Sequence, residues 1–272
     1  MGIVNVTPDS FSGDGLVRPG LTQDEVVSAA LEQARRFVDA GAEILDVGAE
    51  STRPASVYGE RTPVDPESEA ALAIPVVAAL VRELSGRALV SIDTSHGAVA
   101  RAALDGGAGM VNDVWGARRD PGTATAAADA GAYLVVMHNQ DSATYPDGLV
   151  AGVIAALRDA VENAIRLGVP RDRLLVDPGF GFAKTTPQSL ELLHRLQEVK
   201  EAVGLPLVVG TSRKRFIGEV LGGVPLEERV EGTAATVALA IAGGADVVRV
   251  HDVEAIARTV RMTDAIVRFR PR

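Results

Sequence analysis

The feature that most constrains this chain is an alternation. Eight short apolar runs rich in β-branched residues, at 2–6, 44–47, 88–92, 110–114, 133–137, 174–176, 207–209 and 247–250, are each followed by a stretch of helix length. The runs are continuously apolar, as expected of strands covered on both faces in a parallel sheet. The stretches between them carry helix signals. Thr22 precedes Asp24 and Glu25 in a segment that runs to Asp39 and stops before Gly41, which predicts a capped start and a glycine stop. Pro66 opens the next segment, through Leu84, and further helices are expected over 96–105, 121–130, 149–167, 187–203, 226–242 and 253–268. Successive β-then-α units without a long linker predict an α/β protein, a (β/α)8 TIM barrel forming a single domain over residues 1–272. An open, doubly wound sheet is the alternative that the same periodicity allows.

Composition narrows the function classes. The net charge is −9, which argues against broad contact with nucleic acid or an anionic membrane. There is no cysteine, so thiolate catalysis and thiolate-bound metals are excluded, and a reducing cytoplasm is the expected setting. The first ten residues show no basic region followed by an apolar stretch, and the apolar run 70–81 contains Pro75 and is too short to span a bilayer. His96, His138, His194 and His251 lack metal-ligand spacing, so no all-protein zinc site is expected. No Walker A loop, dinucleotide fingerprint or nucleophile elbow is present.

Nearly every apolar run ends in polar residues. These are Asn5 and Thr7, Asp46, Asp93, Asn112 and Asp113, His138 and Asn139, Asp177, Thr211 with Ser212 and Lys214, and Arg249 with His251. In a barrel these positions converge on the C-terminal mouth, where a buried charge is costly unless paired or used on a ligand. The connections 7–21 and 48–65 are longer than a barrel needs and rich in Ser, Thr, Pro, Gly and Asp, as loops at that face often are. Arg249 and His251 share one strand face because they are two residues apart. Residues 210–218 (GTSRKRFIG) supply hydroxyls, three cations and an expected helix N-terminus, a combination suited to an anion. Arginine makes up 24 of the 27 cations, and Lys214 is one of only three lysines, so it stands out; Arg215 reads as a solvated charge. Asp177 opens 177–184 (DPGFGFAK): its carboxylate either accepts N–H groups of its own loop, pairs with Lys184, or takes paired donors from a flat heterocycle on which Phe182 packs.

Taken together, eight segments resemble the dihydropteroate synthase family, in its order and along the whole chain. They are 2–11 (GIVNVTPDSF), 51–54 (STRP), 93–95 (DTS), 111–113 (VND), 137–139 (MHN), 177–182 (DPGFGF), 212–214 (SRK) and 249–253 (RVHDV). The opening loop, Ala55, His96 and Asn139 depart from common family patterns. The resemblance implies a barrel, usually a homodimer, that condenses 6-hydroxymethyl-7,8-dihydropterin diphosphate with p-aminobenzoate and releases pyrophosphate. It implies pterin contacts from Asp93, Asn112, Asp177 and Lys214, and diphosphate contacts from Arg249 and His251. A magnesium ion would be held in part by Asn5. The p-aminobenzoate would lie beside Thr52, Arg53, Pro54, Phe182 and Ser212. Catalytic roles would fall to Asp9, Arg53 and Lys214, with loops 7–20 and 51–62 closing over the reacting cation. Two rival readings remain open at this point: a methyltetrahydrofolate-type methyltransferase, which has no use for the STRP loop or the SRK anion site, and a non-catalytic pterin-binding paralogue.

Overall fold

The capping signals act as expected. Glu25 N–H donates to Thr22 Oγ1 while the Glu25 carboxylate accepts from Thr22 N–H at 2.8 Å, so two of the first-turn amides are satisfied. The helix ends at Gly41, whose φ of 109° suits a residue without a β-carbon. In a computed structural model describing residues 1–7, 15–50 and 64–270, this pattern of capped helices and apolar strands repeats along the chain.

In order, the elements are β1 (Gly2–Asn5), α1 (Gln23–Ala40), β2 (Ile44–Gly48), α2 (Pro66–Leu84), β3 (Leu89–Asp93), α3 (Gly97–Asp105), β4 (Met110–Asp113), α4 (Gly122–Ala130), β5 (Tyr133–Met137) and α5 (Leu149–Arg166). There follow β6 (Leu174–Asp177), α6 (Thr186–His194), α7 (Leu196–Val203), β7 (Val208–Val209), α8 (Arg215–Val220), α9 (Val230–Ala242), β8 (Val247–Val248) and α10 (Val253–Val267). Strands β1 to β6 pair in sequence order, all parallel, and β7 pairs with β8. Single bridges join the two sets, Val176 to Leu207 and Gly2 to Val250. At the second junction Ile3 N–H donates to Val250 O and Val250 N–H to Met1 O, each at 3.0 Å. An open sheet would leave the first and last strands apart. Here they bond, and the ring of eight is a TIM barrel.

The expected runs of 187–203 and 226–242 are each divided. The first breaks at Arg195 into α6 and α7, with no Pro or Gly at the break. Both halves touch α5, and α6 packs in addition against α8 and α9. The second begins with a 3-10 turn over Leu226–Glu228 before α9. The strands β7 and β8 are also shorter than their apolar runs, because pairing, not hydropathy, defines their length.

Strand alternation divides the barrel into two environments. One set of side chains, including Val4, Leu45, Val47, Ile92, Val111 and Leu134, is buried against the helices. The other set points inward, where Met110, Val135, Leu175 and Val208 form a separate apolar cluster with Ile44 and Leu89 around it. Two residues further along those same strands, the inward set becomes Asp46, Asn112, Met137 and Asp177. The barrel is therefore floored with apolar side chains and, Met137 apart, polar towards the strand ends. Replacing Thr22 with alanine should lower unfolding stability by about 1 kcal/mol through loss of the α1 cap, measured by denaturant titration, with ligand binding unaffected.

Candidate active site

Strand register aligns the site. Asn5 pairs with Gly48, Gly48 with Asp93, and Asp93 with Asn112, a lateral row across four strands. Gly48 leaves this row open: a β-carbon there would lie 3.5 Å from Asp93 Cβ and 3.7 Å from its Oδ2. Arg249, just past β8, closes the ring from the other side. Its Nε donates to Asp46 Oδ2 at 2.6 Å and its Nη2 to Asp93 Oδ2 at 2.7 Å. Asn112 Nδ2 also donates to Asp46 Oδ2, at 2.9 Å. Asp46 and Asp93 are buried, and the second oxygen of each, with Ser91 Oγ, has no hydrogen-bond partner among the described residues. Buried acceptors of this kind are normally satisfied, so they mark where ligand donors fit.

Burial pushes the Asp93 carboxyl up to about 7, against the opposing pull of Arg249, with Asp46, Glu69 and Asp113 adding to the rise. Burial also raises Asp177, although its hydrogen bond from Gly179 N–H (2.7 Å) and the cations Lys214, Arg249 and Lys184 hold it down. Burial disfavours the charge on Arg249, but Asp46 and Asp93 outweigh it and keep the guanidinium protonated. A β-carbon on Gly210 would sit 3.9 Å from both Asp177 Oδ2 and Arg249 Cβ, so these two groups flank one small residue. Lys214 reaches the same region: its Nζ lies 4.2 Å from the centre of the Phe182 ring, and its Cδ would be 3.1 Å from a β-carbon on Gly181. Asp93, Asn112, Asp177, Lys214, Phe182 and Arg249 are thus brought to one barrel mouth.

Ser212 joins the last two strand ends. Its Oγ lies 3.0 Å from His251 Nδ1 and accepts from His251 N–H at 3.2 Å. Arg213, in the left-handed region at φ 58°, directs its guanidinium to the Asp252 carboxylate through Nε at 2.9 Å and through Nη2. Arg215 is exposed and pairs with Glu219, as its solvated reading anticipates. Lys184 does not pair with Asp177. Its ammonium donates to Gly179 O (2.9 Å) and Phe182 O (3.1 Å) and contacts His138 Nδ1 at 2.8 Å, because the loop turns its carbonyls inward. Asp113, next to inward-facing Asn112, points the other way and accepts from Trp115 N–H, Ala117 N–H and Thr123 Oγ1, a structural task. Asp9, Thr52, Arg53 and Pro54 lie outside the described residues.

Some groups carried no assignable role in sequence. Asp46 was visible only as one polar residue in an apolar run; its part as the shared acceptor for Arg249 and Asn112 needs the register. Glu69, on α2, is fully buried, and its Oε2 lies 2.6 Å from His96 Nδ1; burial raises its carboxyl despite His96 and Thr94. With Glu50 these two form a group within metal-ligand reach, assembled from three separate segments and invisible to histidine spacing.

This geometry defines a class: a closed α/β barrel whose strand ends hold buried carboxylates beside cations, shaped for a flat, donor-rich ring carrying an anionic group. Comparison with known proteins narrows it. The pterin binding enzyme family matches residues 1–251. A dihydropteroate synthase of Bacillus subtilis is 42% identical over 266 residues, covering 98% of this chain and 87% of the relative. The solved dihydropteroate synthase of Clostridium difficile, determined in the presence of pteroic acid, superposes with a TM-score of 0.89 at 43% identity, covering 99% of this chain and 96% of that one. The Xanthomonas albilineans dihydropteroate synthase with 4-aminobenzoic acid gives 0.87 at 40% identity, covering 100% and 93%. The chain belongs to the pterin-binding enzyme family and, within it, to the dihydropteroate synthases.

The raised Asp93 makes stability depend on pH. Between the ordinary value of 3.8 and about 7 the folded chain holds a proton that the unfolded chain releases, so stability falls as pH rises through that window. Asp93→Asn should lose this slope. Thermal unfolding of both chains across the window should show the wild type losing stability relative to the variant as pH rises, and parallel profiles would remove the assignment.

Proposed function

We infer that this chain is a transferase of pterinylmethyl groups, a dihydropteroate synthase. It condenses 6-hydroxymethyl-7,8-dihydropterin diphosphate with p-aminobenzoate to give 7,8-dihydropteroate and pyrophosphate. The observation that carries the reading is the set of buried acceptors facing cations at one barrel mouth: Asp93 and Asp177 on one side, Arg249 and Lys214 on the other.

In this reading the pterin lies flat above the apolar floor. Asp177 takes paired N–H donors from the 2-amino edge, Asp93 and Asn112 meet the remaining ring polar groups, and Lys214 faces the oxo side. Arg249 and His251 bind the diphosphate at the mouth. The Arg249 charge and the His251 ring favour departure of pyrophosphate, which breaks the carbon–oxygen bond and leaves a cation delocalised into the electron-rich dihydropterin. The aryl amine then attacks that carbon and loses its proton to solvent. No general base is required, since positioning and electrostatics supply the acceleration. The resemblance assigns the aminobenzoate to Thr52, Arg53, Pro54, Phe182 and Ser212, and gives Asp9 and Arg53 their catalytic roles beside the reacting centre.

A magnesium ion fits the residues present. Asn5 ends β1 in the same row as Asp93 and offers a hard amide oxygen, and magnesium takes most of its ligands from phosphate and water. Held by Asn5, it would offset charge on the diphosphate. We further propose that residues 1–272 form one barrel domain and that the enzyme is a homodimer. The pairing is supported by exposed apolar side chains on adjoining helices, Leu239 on α9 with Met262 and Ile266 on α10. A cytoplasmic setting rests on the cysteine-free sequence. No helix among the described residues is long and apolar enough to cross a membrane.

The direct test supplies both substrates and magnesium and measures dihydropteroate and pyrophosphate. Stoichiometric formation of both is expected. Pterin binding without turnover would instead favour a binding paralogue, and methyl transfer from a methylated folate would favour the methyltransferase. Lys214→Ala should weaken pterin affinity by about 1.5–3 kcal/mol, the worth of one charged contact, as read by calorimetry. Arg53→Ala should raise the KM for p-aminobenzoate while leaving pterin affinity near wild type, and an unaltered KM would remove Arg53 from that subsite.

A further inference from the structure

The 179–183 turn is held in a shape its sequence does not favour by itself. Gly179 and Gly181 have φ of 72° and 74°, and Ala183 follows at 44°, a region costly for a residue with a β-carbon. Its carbonyls are individually gripped. Lys184 Nζ donates to Gly179 O and Phe182 O, and Tyr145 Oη donates to Ala183 O at 2.9 Å. The third hydrogen of the ammonium goes to His138 Nδ1 at 2.8 Å. An ammonium can only donate, so His138 accepts at Nδ1 and is neutral. Burial, with Lys184 and Arg118 nearby, holds His138 down to about 3.

This turn carries two groups of the site. Gly179 N–H donates to Asp177 Oδ1 at 2.7 Å and sets the orientation of that carboxylate. Phe182 lies against the Lys214 ammonium, 4.2 Å from ring centre to Nζ. We propose that Lys184 is a positioning residue for pterin binding: by tying Gly179 O and Phe182 O to His138 it keeps Asp177 and the Phe182–Lys214 pair in their binding geometry. The inference rests on the synthase reading above, since it concerns the same pterin.

The charged and titratable groups facing Lys184 are His138 after β5, Asp177 at the end of β6 and Lys214 before α8, with Arg118 beyond His138. Burial, opposed by Asp177 and assisted by Lys214, holds Lys184 down to about 7. Above that value the neutral amine keeps two hydrogens for the carbonyls and a lone pair that accepts from the other tautomer of neutral His138, so the three ties persist in either protonation state.

The test measures affinity for the pterin diphosphate and, separately, for pyrophosphate alone, in the wild type and in Lys184→Met, from about pH 6 to about pH 9. Comparing the two chains cancels the ligand's own ionisation and that of Asp93. At the acid end the variant should bind the pterin about tenfold more weakly, with pyrophosphate affinity unchanged. Because the ties persist in either protonation state of Lys184, this deficit should hold across the range. Equal pterin affinities, or pterin and pyrophosphate affinities falling together, would each overturn the proposal. Should Lys184→Met fail to fold, His138→Ala carries the test: it removes one of the three ties, so pterin affinity should fall with pyrophosphate affinity unchanged, and a wild-type pterin affinity in that variant would overturn it. A wild-type chain that does not bind the pterin diphosphate would sink the synthase reading itself, whereas wild-type binding with an indifferent Lys184→Met would sink this inference alone.

Discussion

The arrangement turns on one buried guanidinium. Arg249 cannot shed its proton, and inside a barrel its charge is tolerable only if carboxylates meet it. Asp46 and Asp93 do so from neighbouring strands, at 2.6 and 2.7 Å. Each spends one oxygen on Arg249 and keeps the other buried and unpaired. The guanidinium charge is therefore countered, while both carboxylates keep hydrogen-bond capacity to spare. That surplus of acceptor capacity, fixed on rigid strand ends, suits the mouth to a ring bearing N–H groups.

Alternation along the strands separates stability from binding within single dipeptides. Asn112 faces inward and bonds Asp46, while its neighbour Asp113 faces outward and organises the turn into α4. Both are polar and both are buried, yet only one can meet a ligand. Gly48 lies in the same inward row, where a β-carbon would meet Asp93 only at ordinary contact distance. Loops then add what strands cannot supply: a lysine against an aromatic ring, and a serine shared with His251.

The barrel was largely legible in the sequence, because parallel strands covered on both faces leave continuous apolar runs and the helices between them carry explicit start and stop signals. What misled was local. No Pro or Gly at Arg195 announces a break, and the two halves meet different sets of helices only in part. The candidate site was legible as a series of polar strand ends and as a family resemblance, which identified Asp93, Asn112, Asp177, Lys214 and Arg249. It did not reveal that Asp46 bridges Arg249 and Asn112, that Glu69 lies against His96, or that Lys184 serves carbonyls and a neutral histidine instead of Asp177.

By itself the sequence determined the fold class, the strand parity and the types of group available at the mouth, because these depend on patterns within short stretches of chain. Tertiary structure decided which groups share a bond, which oxygens stay unpaired and which charges are moved from their ordinary values. Those properties depend on partners as much as 203 residues apart, as with Arg249 and Asp46, and on a burial that no local pattern encodes.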